Sequence, residues 1–515
     1  MRVSGVFVLL ACVLSVRCSL RKDAEYWKTL ALDELNEALG VHLNTGVAKN
    51  VILFIGDGMG PNTVTATRIH KGGEGHRLSY EKFPHVGLLK TYSANKMVPD
   101  SACTSTALLC GVKTNQHTVG VDATVDHYDC DASLEDKAKL DSLAALALRA
   151  GKSAGFVTTM RVTHATPAPM YAHSAARQWE CDAAMPRDTK CKDHARQLVE
   201  DWPGRDLQVI LGGGRQGFVP NATGTPSDPI SSWGCSRQDG RDLIQKYKYD
   251  KQARGQKYKV VQNYGELSSV DYDETDYLLG IFSNAHLEYE HEKSLSADGM
   301  PTIVNMTEAA IRVLRKNPNG FFLMVEGGNI DMAHHRGRAR TAVSEAGAMD
   351  DAVAAALRLV DHHTQVVVTA DHTHTLTING YPDRGADIFG VIGPSPYDHK
   401  NYTTLAYGTG GPGSVHYAVD NGTAVRTDPS GQDTASYTYE QIAAVPLDEN
   451  SHGGGDVVIY AKGPFAHLFH SVHEQHYVHH AIKYAARMGE HAHSHAGYVQ
   501  PSVAMLLAIL AVSYL

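Results

Sequence analysis

The sequence predicts an α/β fold with a doubly wound, mostly parallel central sheet and helices on both of its faces. Short apolar runs recur along the 515-residue chain without the alternation of a half-exposed strand, as is typical of parallel strands covered on both faces. Segments with helical periodicity lie between the runs and are long enough to serve as crossovers. Acids and histidines directly follow several runs, and the carboxyl ends of parallel strands share one edge of a sheet, so these side chains predict a multinuclear metal site.

Six strands and four helices carry this prediction. The predicted strands are residues 51–55, 156–159, 209–211, 321–325, 366–369 and 457–460. The predicted helices are residues 23–43, which lead into the first strand, 133–150, 306–316 and 341–360. From about residue 381 to 445 the chain is rich in Gly, Pro, Tyr, Asn and Thr and has no strong helical pattern. We interpret this stretch as an inserted, loop-rich subdomain.

Both ends of the chain carry processing signals. Arg2 precedes an apolar run that ends in small residues suited to cleavage, so residues 1–18 are predicted to be a secretory signal peptide. The apolar end, residues 503–515, is shorter than the roughly 20 residues of a membrane-spanning helix, and small and polar residues precede it. We interpret residues 491–515 as a glycosylphosphatidylinositol (GPI) attachment signal; the alternative is an amphipathic segment packed on the fold. The signals predict a GPI-anchored protein on the extracellular face of the plasma membrane.

The composition is that of a globular protein. Hydrophobic residues make up 43% of the chain and charged residues 20%, which argues against disorder. The net charge is −9, from 47 basic and 56 acidic residues, and no long run of Lys or Arg interrupts the mixture. Nucleic acid is therefore excluded as an expected partner, and residues 19–490 are predicted to form one large domain with insertions.

An exported chain is open to glycosylation and to disulfide formation. Four Asn-X-Thr sequons are candidate glycosylation sites, namely Asn221, Asn305, Asn401 and Asn421. Four cysteines in polar segments are disulfide candidates whose pairing the spacing leaves open, namely Cys130, Cys181, Cys191 and Cys235. Cys103 and Cys110 lie in an apolar segment that looks helical, where they would be about 10 Å apart. That is too far for a disulfide, so we predict buried free thiols.

The segment Asp100-Ser101-Ala102 holds the candidate nucleophile. Pro99 fixes the chain just before a run of small residues, which places Ser101 at or near a helix N-terminus. Backbone donors at such a terminus attract a phosphate-like anion. A serine there is also a common N-cap, but the metal ligands predicted elsewhere favour the functional interpretation.

Eight motifs, taken with their order and spacing, resemble the animal alkaline phosphatases. They are GDGMG at 56–60, DSA at 100–102, TMRVTHATP at 159–167, VEGG at 325–328, DMAHH at 331–335, TADH at 369–372, VPLDE at 445–449, and His452. The resemblance covers nearly all of residues 24–486 and implies the alkaline phosphatase fold for the predicted domain.

The resemblance implies two zinc ions and one magnesium ion. The implied ligands are Asp331, His335 and His452 for the first zinc; Asp57, Asp371, His372 and the deprotonated Ser101 for the second; and Asp57, Thr166 and Glu326 for magnesium. Mixed oxygen and nitrogen ligands suit zinc, whereas an all-oxygen set suits magnesium. Arg177 is expected to hold the substrate phosphate bidentately, and His164 is expected to support the ligands from outside.

The implied activity is hydrolysis of a broad range of phosphate monoesters through a phosphoserine on Ser101. A sulfatase or phosphodiesterase on the same fold would need a modified Cys or a Thr at this position, and Cys103 lies two residues too late. A catalytically silent, GPI-anchored surface receptor would be expected to have lost ligands, yet all nine inferred metal and nucleophile positions are filled. Relatives pair through their crown, which matches residues 381–445, and through their N-terminal helix, so a homodimer is expected.

The sequence departs from the family pattern in two places. Met332 stands where many relatives have a polar side chain near magnesium, so the pH profile and magnesium affinity are expected to differ. A fourth, calcium-type site is matched by Glu266, the Phe282 carbonyl and Asp298, but Ser283 replaces a usual Glu, which weakens calcium binding. His334 and His374 are interpreted as neighbours of the ligands, and much of the histidine cluster between 467 and 495 as a solvated surface and tail.

Overall fold

The computed structural model describes residues 23–294 and 296–492. The predicted signal peptide and apolar tail lie outside these residues, as does all of the predicted GPI signal except His491 and Ala492. The chain divides into two units, Met1–His42 and Leu43–Leu515. The described part of the first unit is essentially one helix, α1, and the second unit holds the sheet and all other elements.

The helices and strands are numbered in chain order. The α-helices are α1 Ala24–Leu39, α2 Pro61–Gly72, α3 Ser101–Cys110, α4 Cys130–Leu134, α5 Leu143–Arg149, α6 His194–Glu200, α7 Leu243–Ala253, α8 Tyr264–Ser268, α9 Ile303–Leu314, α10 Asn329–His335, α11 Ala339–Leu359 and α12 Tyr477–Ala485. The strands are β1 Asn50–Gly56, β2 His85–Lys90, β3 Ser153–Arg161, β4 Val209–Gly213, β5 Tyr258–Val261, β6 Tyr277–Ile281, β7 Phe321–Gly327, β8 Thr364–Ala370, β9 Thr373–His374, β10 Leu376–Ile378, β11 Val391–Ile392, β12 Tyr402–Thr403, β13 Leu405–Gly410, β14 Tyr417–Asp420, β15 Thr423–Arg426, β16 Ala443–Pro446, β17 His452–Gly453, β18 Val457–Lys462 and β19 Ser471–Glu474.

Ten strands form the central sheet, in the order β19-β2-β18-β8-β1-β7-β3-β4-β6-β5. Every neighbouring pair is parallel except those that include β18. The predicted α/β class with a mostly parallel sheet is therefore confirmed. Strands β3, β7 and β8 are buried along their whole length, and their side chains join those of α9, α11 and α12 in one hydrophobic core.

Strand β18 runs against its neighbours, so the prediction of a parallel strand at 457–460 was wrong in direction. The chain reaches β18 from β17, which pairs with β9, and β9 follows the carboxyl end of β8. Since β18 begins at the carboxyl edge of the sheet, it has to run back across it. This reversal leaves His452 at the edge where the other strands end.

The predicted helix 133–150 is two short helices. Helix α4 ends at Leu134, and α5 begins at Leu143, where the hydroxyl of Ser142 accepts from the Ala145 N–H at 3.1 Å. Charged residues fill the intervening stretch and keep much of it exposed, and the Ser142 cap starts a new helix. The other predicted helices are present, with ends shifted by one to four residues.

Residues 381–445, all described, contain short strands and 3-10 turns but no α-helix, as predicted. A small sheet joins β13 and β16 of this stretch to β10, which lies just before it. Disulfides join Cys130 to Cys191 and Cys181 to Cys235, while Cys103 and Cys110 are buried and free. The structure thus decides the cysteine pairing that the spacing left open and confirms the two predicted thiols.

Candidate metal centre

The carboxyl ends of three adjacent strands bring three carboxylates together. Asp57 follows β1, Asp371 follows β8, and Glu326 is the last residue but one of β7. The register pairs Ile55 of β1 with Glu326, and Gly56 with Ala370 of β8. Because the three strands are neighbours, the three acids converge at one edge of the sheet, as the sequence predicted.

These carboxylates are buried and incompletely paired. Asp57, Glu326 and Asp371 are 0% exposed, and Asp57 Oδ1 and Glu326 Oε1 have no hydrogen-bond partner among the described residues. Burial raises the pKa of Glu326 to about 7, and burial together with the neighbouring Asp331 and Asp371 carboxylates raises the pKa of Asp57 well above its ordinary value. Buried anions of this kind need a nearby cation, so the donor set fits bound divalent metal ions.

Asp331, His335 and His452 are the first group of expected ligands, and the ligand atoms of Asp331 and His452 also lie within 4.8 Å of those of His372 and His374. Asp331 and His335 are four residues apart on α10, with His335 Nε2 3.3 Å from Asp331 Oδ2. His452 Nε2 lies 3.1 Å from His335 Nε2 and 3.5 Å from Asp331 Oδ1. Burial lowers the pKa of His335, but the adjacent Asp331 carboxylate outweighs it and raises the pKa to about 9. The negative charge of Asp331 therefore stabilises a positive charge placed among these three side chains.

Both imidazoles of this group are oriented by backbone carbonyls. His335 Nδ1 donates to the Asn450 carbonyl at 2.7 Å, and His452 Nδ1 donates to the Pro99 carbonyl at 2.8 Å. Because a carbonyl only accepts, each Nδ1 carries a proton, so Nε2 is the nitrogen that could bind a metal ion once it is deprotonated. Such an outer hydrogen bond is typical of metal-binding histidines.

The second group contains Asp57, Asp371 and His372, whose ligand atoms lie within 4.8 Å of one another. His372 Nε2 is 3.2 Å from Asp371 Oδ2 and 3.4 Å from Asp57 Oδ1. Burial lowers the pKa of His372 to about 3, which keeps the imidazole neutral and able to bind a metal. The Gly58 N–H and the Thr104 hydroxyl donate to Asp371 at 3.0 and 3.2 Å and fix the orientation of its carboxylate.

The third group contains Asp57, Glu326 and His164, whose ligand atoms lie within 4.8 Å of one another. The Thr166 hydroxyl is 3.5 Å from Asp57 Oδ2, and the Thr158 hydroxyl donates to Glu326. Burial lowers the pKa of His164 to about 3. Thr166 and His164 therefore lie beside the carboxylates of Asp57 and Glu326.

The two histidines interpreted as neighbours have different partners. His334 has Tyr407 Oη at 2.7 Å from Nδ1 and Thr63 Oγ1 at 2.9 Å from Nε2, so both of its nitrogens are engaged outside the ligand groups. His374 Nε2 lies 2.6 Å from Asp331 Oδ1, and its Nδ1 lies 2.6 Å from Asn450 Oδ1. His374 thus links a ligand carboxylate to the segment that orients His335.

Ser101 is the first residue of α3 and is buried. Asp100 is the N-cap and accepts from the Cys103 N–H at 3.4 Å, so the alternative that Ser101 itself is the cap does not hold. The Ser101 hydroxyl lies 3.2 Å from His372 Nε2. A hydroxyl at a helix N-terminus beside a ligand of the second group is well placed to meet an anionic substrate.

Arg177 is tied to the residue before Ser101. Its Nη1 donates to Asp100 Oδ2 at 3.0 Å, and its Nη2 lies 3.2 Å from His164 Nε2. Asp100 also accepts from the His117 N–H at 3.0 Å and has His117 Nδ1 at 3.1 Å. Burial raises the pKa of Asp100, but His117 and Arg177 outweigh it and hold the pKa well below its usual range. The charged pair therefore fixes the guanidinium near Ser101.

Arg177, Asp331, His335 and His452 line one open cleft of about 640 Å³. Its wall also includes residues that sequence reasoning missed, among them His117, Gln178, Ser231, Trp233 and Arg336. None of them belongs to a motif with a recognisable spacing. Asp100 was within a motif, and its position before the small-residue run could have identified it as the cap.

The remaining predicted sites are less closely defined. Glu266 lies on α8, and backbone hydrogen bonds from Tyr264 to Gly299 and from Gly265 to Ala297 bring the segment of Asp298 beside it. Phe282 is buried just after β6, and the calcium-type site stays a prediction.

Among the sequons, Asn221 and Asn421 are exposed, Asn305 takes part in the capping box of α9, and Asn401 donates to Ser430 at 2.7 Å.

A mostly parallel sheet whose carboxyl edge carries three groups of carboxylates and imidazoles, with a serine at a helix N-terminus, fits a metal-dependent hydrolase of phosphate esters. Residues 48–488 match the family model for alkaline phosphatase. The chain belongs to the alkaline phosphatase family, and it is a phosphoric monoester hydrolase.

Curated relatives and solved structures agree with this assignment. The chain is 45% identical over 513 residues to the tissue-nonspecific alkaline phosphatase of Gallus gallus, covering 97% of this chain and 96% of that one. It is 39% identical over 516 residues to the membrane-bound alkaline phosphatase of Bombyx mori, covering 97% and 92%. The alkaline phosphatase structure from Thermus thermophilus matches with a TM-score of 0.59 at 21% identity, covering 86% and 92%, and supports the fold alone.

Proposed function

We propose that this protein hydrolyses a broad range of phosphate monoesters through a phosphoserine on Ser101, with two zinc ions and one magnesium ion as cofactors. The observation that carries the proposal is the position of the Ser101 hydroxyl, at the N-terminus of α3 and 3.2 Å from His372 Nε2, beside the tethered Arg177. The buried carboxylates that lack partners support a site built for cations.

The chain's own residues account for two transfer steps. Arg177 and the backbone N–H groups at the start of α3 bind and orient the phosphoryl group. The Ser101 oxygen forms a bond to phosphorus while the bond to the leaving-group oxygen breaks, and water then cleaves the phosphoserine and releases inorganic phosphate. Bound metal ions supply charge neutralisation and lower the pKa of oxygen nucleophiles. Few of these contacts involve the leaving group, which is consistent with broad specificity.

The ligand chemistry supports an assignment of each ion. We assign zinc to the group of Asp331, His335 and His452 and to the group of Asp57, Asp371 and His372, since both mix oxygen and nitrogen donors. We assign magnesium to Asp57, Thr166 and Glu326, which supply oxygen. A catalytically silent surface receptor is not favoured, because the ligand groups are complete. A calcium ion at the site of Glu266 remains a further proposal.

The test is metal depletion followed by reconstitution, assayed with an aryl phosphate monoester and with its diester and sulfate analogues. We expect chelation to abolish monoester hydrolysis, and zinc together with magnesium to restore it. Recovery with magnesium alone would exclude the two-zinc assignment. A higher rate on the diester or the sulfate would contradict the monoester assignment.

We also propose a GPI-anchored homodimer on the extracellular face of the plasma membrane. The composition of residues 491–515 supports the anchor, and the Bombyx mori relative is named membrane-bound. In the described part of the chain, no helix combines the length and apolarity needed to cross a bilayer. A phosphatidylinositol-specific phospholipase should release the enzyme from intact cells, and the released enzyme should sediment as a dimer. Retention on cells that release a control anchored protein would overturn the anchor, and a monomer would overturn the dimer.

A further inference from the structure

One wall of the catalytic cleft carries an exposed indole. Trp233 is 77% exposed and lines the cleft together with Arg177, Gln178 and Ser231. Large aromatic side chains usually bury most of their surface, so an exposed one in a cleft lined mostly by polar and charged residues needs an explanation. A ligand that covers the ring would provide one.

The loop that carries Trp233 is firmly held. Gln216 is fully buried; its side-chain oxygen accepts from the Ser231 N–H at 3.0 Å, and its amide donates to the Ser231 carbonyl at 3.0 Å. The same amide lies 3.3 Å from the Ser236 hydroxyl, and the adjacent Cys235 is bonded to Cys181. The loop is anchored on both sides of the indole, so Trp233 is presented from a fixed backbone.

The same disulfide links the indole to the phosphate-binding residue. Cys181 follows Arg177 by four residues, and Cys235 follows Trp233 by two. Arg177 is itself fixed by Asp100 at 3.0 Å, next to Ser101. The disulfide therefore joins the segment that carries Arg177 to the loop that carries Trp233.

We propose that Trp233 forms a leaving-group subsite that stacks on the planar aromatic group of a phosphate monoester. The proposal rests on the proposed function: Arg177 holds the phosphoryl group while the uncharged ring of the leaving group covers the indole. The face of an indole gains dispersion and quadrupole attraction from an aromatic ring, whereas a flexible polyol gains little from it. The subsite adds a preference for aromatic monoesters to an otherwise broad specificity.

The kinetic test compares phenyl phosphate, adenosine 5′-monophosphate and glycerol 2-phosphate as substrates of the metal-loaded enzyme. Trp233→Ala is expected to lower kcat/KM about three- to tenfold for the aromatic substrates and to leave glycerol 2-phosphate within about twofold. Trp233→Phe keeps a ring and should retain most of the preference. Tyr249→Ala, which removes another exposed aromatic ring (62% exposed) on α7, is the matched control and should change nothing.

Each outcome decides the proposal. A selective loss for adenosine 5′-monophosphate alone supports a nucleobase as the natural occupant, and a loss for phenyl phosphate alone supports a small aryl group. An equal loss for all three substrates, or no loss, overturns the subsite. Because Trp233 is exposed, its replacement should leave the fold intact, and the thermal midpoint of the variant checks this.

A binding measurement separates this proposal from the proposed function. In calorimetry, the wild type should bind phenylphosphonate about three- to tenfold more tightly than methylphosphonate, and Trp233→Ala should remove the difference. Equal affinities in the wild type would overturn the subsite even in an active phosphatase. A protein that hydrolyses no monoester but keeps the Trp233-dependent difference would overturn the proposed function and leave the subsite standing.

Discussion

Replacing Arg177 by Ala should weaken the binding of inorganic phosphate in the cleft. The guanidinium has five N–H donors, of which one contacts Asp100 and one faces His164, so three remain for a phosphate. The side chain is only 21% exposed, so water screens it weakly. A hydrogen bond to a charged group is worth about 1.5–3 kcal/mol, which corresponds to about a 10- to 150-fold rise in the inhibition constant of inorganic phosphate.

The assay is competitive inhibition of monoester hydrolysis by inorganic phosphate, with calorimetry as an independent measure of binding. Arg177→Lys keeps the charge but loses the planar guanidinium that donates two parallel hydrogen bonds. Its affinity for phosphate should fall between those of the wild type and Arg177→Ala. Arg336→Ala is the matched control: this arginine lines the same cleft, but its Nη1 donates to Tyr289 Oη at 3.0 Å. We expect it to stay within about threefold of the wild type. Unchanged phosphate affinity in Arg177→Ala would refute the assignment of Arg177.

Three further predictions concern stability and reactivity. Burial, reinforced by Glu290, raises the pKa of Glu345 to about 8, so folding stability should decline as pH rises from the ordinary value of 4.5 towards 8. Glu345→Gln should therefore gain stability over the wild type between pH 5 and pH 9, by on the order of a few kcal/mol in urea unfolding; a gain that does not grow with pH would contradict this. Phe54→Ala, at a fully buried position of β1, should cost about 3–5 kcal/mol of unfolding free energy, and a cost below about 1 kcal/mol would contradict the described core. Burial raises the pKa of the free thiols of Cys103 and Cys110, so an alkylating agent should label them only after unfolding; labelling of the native protein would show that they are accessible.

The parts of the fold that the sequence predicts are those with a strong local signal. The strands at 51–55 and 366–369 are continuous apolar runs, and the structure has them as β1 and β8. Strand β2 was missed because its residues alternate between buried and exposed over only six positions. Strand β6 was also missed, because its run has only five residues and its Leu278–Leu279 pair fits a helix as well as a strand. The direction of β18 depends on the route of the chain rather than on its own residues.

In the candidate site, too, some features can be predicted from the sequence and others cannot. Asp57 and Asp371 follow recognisable strands, so their convergence follows from sheet topology. The ion pair between Asp100 and Arg177 joins residues 77 positions apart, and no local sequence pattern predicts such a contact. The Cys181–Cys235 pairing likewise needs the folded chain. Trp233 lies in a polar loop, where a single aromatic residue has no periodicity to mark it.

The most direct measurement of the central claim is trapping of the covalent intermediate. The metal-loaded enzyme is mixed with a phosphate-labelled monoester, quenched in acid within the first turnovers, digested and analysed by mass spectrometry. We predict label on Ser101, no label and a rate lower by several orders of magnitude in Ser101→Ala, and label still on Ser101 in the control Ser105→Ala on the same helix. Hydrolysis that proceeds at a near-normal rate in Ser101→Ala, or label on another residue, would contradict the account.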